Sequence, residues 1–233
     1  MSYTGSCRFA TAQSRIVATG LATILILACG GGAGGPGPNP DNETLAKANP
    51  SGDLQAGLPG QQLPDPLRVV VRRGTVAVAG KTVTWQPSAG QVNPTSSTTG
   101  SDGVATTTVT LPQGGEMTIQ ANASGVSGGP VTFTAAAASN AATVQVQGPP
   151  SNQFSPQVVA VRAGGSVTFD WPPSAREHNI IPDDGRSIPS SPTVRDGPFT
   201  VTVVFPTVGE YFYHCGVHGS TRSGMFGRVV VLP

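Results

Sequence analysis

The chain has 233 residues, a formal net charge of +1 at pH 7 and only 11% charged residues. Typical soluble domains contain about a quarter charged residues, so this composition, with 31 glycines and 22 prolines, favours turn-rich β-structure outside the cytosol. No segment concentrates basic residues, and the composition therefore argues against a nucleic-acid partner. The length allows one or two domains, and we predict two small ones.

The first residues have the pattern of a secretion signal. Arg8 and Arg15 precede the uncharged run IVATGLATILILA, which is too short to span a bilayer but fits the apolar region of a signal peptide. The ending ILAC resembles the lipobox of bacterial lipoproteins. That resemblance implies that residues 1–28 are removed and that Cys29 carries lipid. The chain would then be an exported lipoprotein, anchored to a membrane and facing the periplasm or the cell exterior. An ordinary signal peptide without a lipid is the alternative.

After export, a single thiol would remain. Cys7 would leave with the signal peptide and Cys29 would be modified, so that Cys215 is the last of the three cysteines. No disulfide can then form within one chain. An unpaired thiol in an oxidising compartment is a liability unless something holds it, so Cys215 needs an explanation.

A segment rich in glycine and proline follows the apolar run and extends to Pro66. Such a composition cannot bury enough apolar area to fold, and we predict a disordered tether that includes a linker over residues 29–49. Residues 30–35, GGGAGG, match the G-x-G-x-x-G pattern of dinucleotide-binding loops. The match carries no function, because no predicted strand precedes it and no helix follows it.

Residues 67–138 read as short strands with period-two alternation, separated by turns such as Asp102-Gly103 and Gly114-Gly115. Short strands at this spacing predict a sandwich of two sheets. The predicted strands are residues 67–71, 81–85, 104–111, 117–123 and 130–136.

Four segments of this part also have a specific amino-acid pattern. SGDLQAGLPGQQLPDPLRVVV, VAGKTVTW, TTGSDGVATTTVTL and GGPVTFTA resemble, in this order, the bacterial Ig-like repeat of invasins and adhesins. The resemblance implies an Ig-like domain over residues 50–140. The stretch contains no histidine and no cysteine, so we predict a rigid spacer, with adhesion as the alternative.

A second β-domain is predicted over residues 143–233. Its apolar alternating segments are divided by glycine and proline, with no helical stretch of useful length. The predicted fold class is therefore all-β, with two β-sandwich domains in tandem after the disordered tether. The segments are VQVQ, QVVAVRAG, GSVTFDW, GPFTVTVVF, GEYFYHC and GRVVVL.

Potential metal ligands concentrate in this second domain. All three histidines, His178, His214 and His218, occur there together with Cys215. Side chains alternate faces along a strand, so Cys215 shares the core face of Tyr213 while His214 lies on the other face. We therefore expect His214 to be a solvated strand residue, not a ligand.

The other donors are spaced to reach one ion. His218 follows Cys215 by three positions, His178 comes from a different loop, and Met225 lies beyond the turn that contains His218. Two imidazoles, one thiolate and a weak thioether are the ligands of a blue-copper centre. Zinc could accept the histidines and the cysteine, but structural zinc takes four strong donors and catalytic zinc keeps a water position.

FSPQVVAVRAGGSVTFDW, HNI and FPTVGEYFYHCGVHGSTRSGMFGRVVV resemble the plastocyanin branch of the cupredoxins. The resemblance implies one type 1 copper, cycling between Cu(I) and Cu(II). His178, Cys215 and His218 would form the equatorial plane, and Met225 would be the axial ligand. A distant Met or a backbone oxygen is the alternative to Met225 as a close axial ligand.

The resemblance also assigns a role to Asn179, which would pin the two ligand loops together and direct its backbone N–H towards the thiolate. The six residues between His218 and Met225, GSTRSG, are a longer gap than is common in this branch. Their glycines and serines permit a bulge, so that the methionine can still return to the site.

These features predict a membrane-tethered carrier of single electrons between redox partner proteins, acting as a monomer. Copper delivery without an electron-carrier role is one alternative, and an adhesion protein with a structural metal is another. We also predict that the chain is not an enzyme. Its sequence has no catalytic triad or phosphate loop, and only His214 would remain for a second copper site.

Overall fold

The computed structural model describes residues 42–183, 185 and 191–233 of the chain. The predicted signal peptide, residues 1–28, and the predicted lipidation site, Cys29, lie outside them. Every regular element within these ranges is a β-strand, which confirms the all-β fold class. None of the described residues belongs to a helix long and apolar enough to cross a membrane.

The described residues form eighteen strands. The strands of the amino-terminal half are β1 (Glu43–Lys47), β2 (Gln55–Gly57), β3 (Leu67–Arg73), β4 (Val76–Ala77), β5 (Thr82–Pro87), β6 (Gln91–Asn93), β7 (Ser96–Thr98), β8 (Val104–Thr110), β9 (Gly115–Ala123) and β10 (Val131–Ala137). The strands of the carboxyl-terminal half are β11 (Ser139–Gln147), β12 (Gln153–Ser155), β13 (Val158–Trp171), β14 (His178–Pro182), β15 (Ser191–Arg195), β16 (Phe199–Phe205), β17 (Gly209–Ser220) and β18 (Ser223–Leu232).

Two five-stranded sheets share one core in the amino-terminal half. One sheet has the order β1-β3-β8-β6, with β4 paired to β3, and the other has the order β2-β10-β9-β5-β7. Alternate residues of these strands point inwards, as in β5, where Val83 and Trp85 are buried and their neighbours Thr82 and Thr84 are exposed. The core is mainly aliphatic, with Trp85 and Phe133 as its large aromatic residues.

The predicted tether is wrong for Glu43–Lys47, which forms strand β1 and pairs antiparallel with β3, and for Gln55–Gly57, which forms β2 and pairs parallel with β10. Leu45 is only 3% exposed and belongs to the core. Glu43 accepts from Arg73 and Lys81, and the hydrogen bond from Lys81 contributes most to holding the pKa of Glu43 below its ordinary value. One inward-facing leucine and one paired carboxylate therefore order the short β1 segment. Composition did not predict the strand, because the residues around it are rich in glycine and proline.

One eight-stranded sheet dominates the carboxyl-terminal half. Its order is β12-β11-β13-β18-β17-β14-β15, with β16 paired to β13. Strand β13 is one continuous strand, although its glycines divide the sequence into two apolar segments. The core beneath is rich in aromatic rings, and Tyr213 packs edge-on against Phe154 and Phe169 at centroid distances of 4.8 and 5.2 Å.

The two halves meet without a linker. Strand β11 begins at Ser139, one residue after the alanine that follows β10, so the predicted boundary between residues 140 and 143 falls inside β11. The division into two domains therefore stays a prediction. A separate apolar cluster lies at this junction, and we call it the junction cluster. Its buried members are Ala136, Ala138, Val158, Ala160 and Val230.

Candidate metal centre

Three of the predicted ligands converge at one point. His178, Cys215 and His218 each offer a donor atom, and these atoms all lie within 4.8 Å of one another. The sulfur of Cys215 is 3.7 Å from Nδ1 of His178 and 3.7 Å from Nδ1 of His218. Nδ1 is thus the nitrogen that each ring turns towards the thiol, and the three donors face a common centre.

His178 enters the site as the first residue of β14 and is fully buried. Burial lowers the pKa of His178, and the nearby imidazole of His218 lowers it further. The neutral ring is favoured, which keeps a nitrogen lone pair free to bind a metal. Among the described residues, Nε2 of His178 has no hydrogen-bond partner although the ring is fully buried, which is unusual for a buried polar group.

Cys215 lies on the inner face of β17, as strand alternation predicted. Tyr211, Tyr213 and Cys215 are 7%, 0% and 0% exposed, whereas Phe212 and His214 between them are half-buried. The thiol is free, because no other cysteine occurs among the described residues. The core therefore holds the sulfur at the inner end of the strand.

The strand register places Met225 opposite the ligand turn. His214 pairs with Phe226, and Gly219 pairs with Gly224, so the register shifts between these pairs. Four residues of β17, from Cys215 to His218, thus lie across from Met225 alone. Such a bulge re-aims the residues on its longer side. Met225 is 1% exposed and packs in the same hydrophobic core as Cys215.

The longer gap between His218 and Met225 closes as a hairpin tip. Gly219 pairs with Gly224, and Ser220 pairs with Ser223, which leaves a two-residue turn that ends at Arg222 with φ 55°. Glycine is required where the strands approach, because a Cβ on Gly219 would lie 2.6 Å from the carbonyl oxygen of Met225. The additional residues thus extend a regular ladder outside the site.

Asn179 joins the two ligand segments. Its Oδ1 accepts a hydrogen bond of 2.8 Å from the backbone N–H of Gly216, the residue after the thiol. A Cβ on Gly216 would lie 2.6 Å from Cδ1 of Ile181, so the segments touch here as well. The direction of the Asn179 backbone N–H towards the sulfur stays a prediction.

His214 is separate from the cluster, as predicted, but it is not simply solvated. Its Nδ1 lies 2.5 Å from Oδ1 of Asp183, and the two side chains are only 15% and 4% exposed. The sequence pattern did not predict this pair. Alternation placed His214 on the outer face, but only the pairing of β14 with β17 brings Asp183 across to it.

The donor set fits one type 1 copper ion. The thiolate is a soft ligand suited to Cu(I), as the thioether of Met225 would be, while the imidazoles also suit Cu(II). Structural zinc fits less well, because it takes four strong donors and the cluster supplies three. The burial of His178 and Cys215 would also exclude water from two sides of the ion.

No protein-family model matches the chain, and no curated protein matches it. Solved structures do match. A pseudoazurin from Sinorhizobium meliltoi is 24% identical, with 40% of this chain and 74% of that chain covered and a TM-score of 0.29. A purple cupredoxin from Nitrosopumilus maritimus is 23% identical, with 39% and 99% covered and a TM-score of 0.32.

A Cu-containing nitrite reductase from Thermus scotoductus SA-01 also matches, at 14% identity over 84% of this chain and 69% of that chain, with a TM-score of 0.32. This finding contradicts the prediction that the chain is not an enzyme, and we withdraw that prediction. It rested on counting histidines within one chain. Such a count is insufficient, because an enzyme can build a site at an interface between domains or chains.

Proposed function

We propose that the chain is a membrane-tethered type 1 copper protein that carries single electrons between redox partner proteins. The observation that supports this most is the cluster of His178, Cys215 and His218 within 4.8 Å, across the ladder from Met225. A copper ion held there would supply one electron at a time by changing between Cu(I) and Cu(II).

The chain's contribution is to hold the donors still. Cys215 and Met225 lie on neighbouring strands of one sheet, and Asn179 ties the His178 strand to the residue after the thiol. Donors fixed by strands change position little when the charge of a bound ion changes. Little rearrangement is the condition for fast electron transfer at such a site.

A partner would approach along the edge formed by Val217 and His218. His218 is half-buried, unlike the other two donors, and Val217 beside it is 49% exposed. In this proposal the electron leaves through the His218 ring, and the apolar rim supports a weak and transient contact. The lipid on Cys29 would tether the chain to the membrane, with the amino-terminal half as an Ig-like spacer.

Copper titration tests the proposal. Cu(II) is added to the purified, metal-free chain, and the visible absorption and the reduction potential are recorded. We expect a blue protein with a reversible one-electron couple. Cys215→Ser should stay colourless, and His214→Ala, which changes the histidine outside the cluster, should remain blue.

The same titration separates the alternatives. A colourless wild-type chain, or an equally blue Cys215→Ser variant, would rule out the type 1 site. Rapid loss of copper to a chelator, without a reversible couple, would favour copper delivery. Consumption of nitrite by the reduced protein would favour an enzyme function.

A further inference from the structure

His178 is delivered to the cluster by an unusual backbone conformation. The residue before it, Glu177, has φ 55°, in the left-handed region that side chains other than glycine rarely adopt. This conformation costs about 1–2 kcal/mol for an ordinary residue, so surrounding contacts must hold it. Because Glu177 immediately precedes His178, a change in its backbone would redirect the imidazole.

Asp196 supplies such a contact. Its Oδ1 accepts a hydrogen bond of 2.8 Å from the backbone N–H of Glu177. In the ladder between β14 and β15, His178 pairs with Arg195, and the ladder ends there. The carboxylate of the next residue therefore replaces the backbone acceptor that a continued ladder would have offered.

A second hydrogen bond fastens the same two segments. The backbone N–H of Gly197 donates to the carbonyl of Ala175 at 3.1 Å, and Ala175 is fully buried. A Cβ on Gly197 would lie 1.9 Å from the carbonyl oxygen of Pro172. Close backbone contact at Gly197 thus fixes Asp196 opposite Glu177.

We propose that Asp196 is a positioning residue, which holds Glu177 in its left-handed conformation and so sets the distance between the His178 ring and the Cys215 sulfur. The hydrogen bond from the Glu177 N–H to Asp196 supports this assignment, which concerns the metal-free chain. Its consequence for copper rests on the proposed function. A charged acceptor strengthens a hydrogen bond to a backbone N–H, which suits a clamp at an exposed position.

The test compares three variants of the full chain. Asp196→Ala removes the acceptor, whereas Asp196→Asn keeps an Oδ1 that can accept the same hydrogen bond. Asp102→Ala is the matched control, because Asp102 Oδ1 also accepts from a backbone N–H, that of Val104, at 3.0 Å and in the amino-terminal half. Hydrogen exchange of the Glu177 amide and the NMR shifts of the His178 ring are measured without metal.

We expect Asp196→Ala to speed exchange of the Glu177 amide by about tenfold, the equivalent of one lost hydrogen bond, and to shift the His178 ring signals. Asp196→Asn keeps the acceptor but loses its charge, so its effect should be clearly smaller than that of Asp196→Ala, and Asp102→Ala should change neither signal. Cu(II) should dissociate about tenfold faster from Asp196→Ala, since the His178 donor is less well placed.

Two results would overturn the proposal. Unchanged amide exchange and ring signals in Asp196→Ala would show that the carboxylate does not hold the loop. Equal effects of the alanine and asparagine variants would assign the role to charge, not to the hydrogen bond. If the wild type bound no copper, the proposed function would fail, but the metal-free measurements would still decide the role of Asp196.

Discussion

The two halves of the molecule differ in whether their buried polar side chains have hydrogen-bond partners. In the amino-terminal half, buried Glu43, Thr99 and Thr107 all have hydrogen-bond partners. Among the described residues, the buried side-chain atoms without a partner all lie in the carboxyl-terminal half. They belong to Asn152, Trp171, His178, Asp183 and Tyr213.

This difference coincides with the position of the candidate metal centre, which also lies in the carboxyl-terminal half. Buried polar groups without partners reduce stability, and native proteins tolerate few of them. They are expected where function requires them, as at the ring of His178. The hydroxyl of Tyr213 is likewise buried without a partner among the described residues, and this burial raises its pKa.

The largest effect is expected from equivalent truncations in the two cores. Phe133→Ala and Phe169→Ala each remove a fully buried ring and should lower the free energy of unfolding by about 3–5 kcal/mol. Only Phe169, which packs against Tyr213, should also alter the copper spectrum of the folded protein. Denaturant unfolding and visible spectra check both statements. An altered copper spectrum in Phe133→Ala would contradict the prediction that only the carboxyl-terminal core affects the site.

The junction cluster tests whether the halves unfold together. Val158 is fully buried there, and Val158→Ala should lower the free energy of unfolding by about 2 kcal/mol. Because the contact couples the two cores, calorimetry should show one transition in the wild type and two separated transitions in the variant. A single transition in both proteins would contradict this coupling model.

Loss of one hydrogen bond should affect the halves differently. Asn179→Ala leaves the N–H of Gly216 without its acceptor, and Thr107→Val leaves the Pro94 carbonyl without its donor. Each should cost about 1–2 kcal/mol of unfolding free energy. Copper dissociation should accelerate only in Asn179→Ala, measured by transfer to a chelator. Equal copper dissociation rates in the two variants would show that Asn179 does not stabilise the site.

A single methyl group gives a smaller effect. Gly216→Ala would bring a Cβ to 2.6 Å from the flexible end of Ile181, and should cost about 1 kcal/mol. Gly114→Ala is the matched control, because its Cβ would meet only ordinary contacts at 3.9 Å. Thermal unfolding of the two metal-free variants checks the difference, and equal melting temperatures would contradict it.

The smallest effect concerns pH at Glu116 in the amino-terminal half. Burial raises the pKa of Glu116 above 4.5, so its stabilising contribution is complete below that pH and is lost as the pH rises through the folded value. The burial is only partial, because the residue as a whole is exposed and water screens its carboxylate, so Glu116→Gln should gain less than about 0.5 kcal/mol, only above pH 4.5. Urea unfolding at several pH values measures it, and a gain that is constant with pH would contradict it.

Alternation along the chain predicted much of the fold. The five strands proposed for residues 67–138 correspond to β3, β5, β8, β9 and β10, because their inward residues repeat every second position. Strands of two or three residues, such as β4 and β6, were missed. Segments this short do not display a period, and they form only because a longer neighbour offers backbone partners.

The ligand types and their spacing within one turn were readable from the sequence, since Cys215 and His218 are local neighbours and strand parity excluded His214. What the chain alone determined is therefore the chemistry of the donors and the faces on which they lie. The tertiary structure decided the rest. His178 is 37 residues from Cys215, and only the pairing of β14 with β17 brings them together. Local patterns carry no information about such distant pairs, which is why the clamp at Asp196 and the pairing of Asp183 with His214 became visible only in the fold.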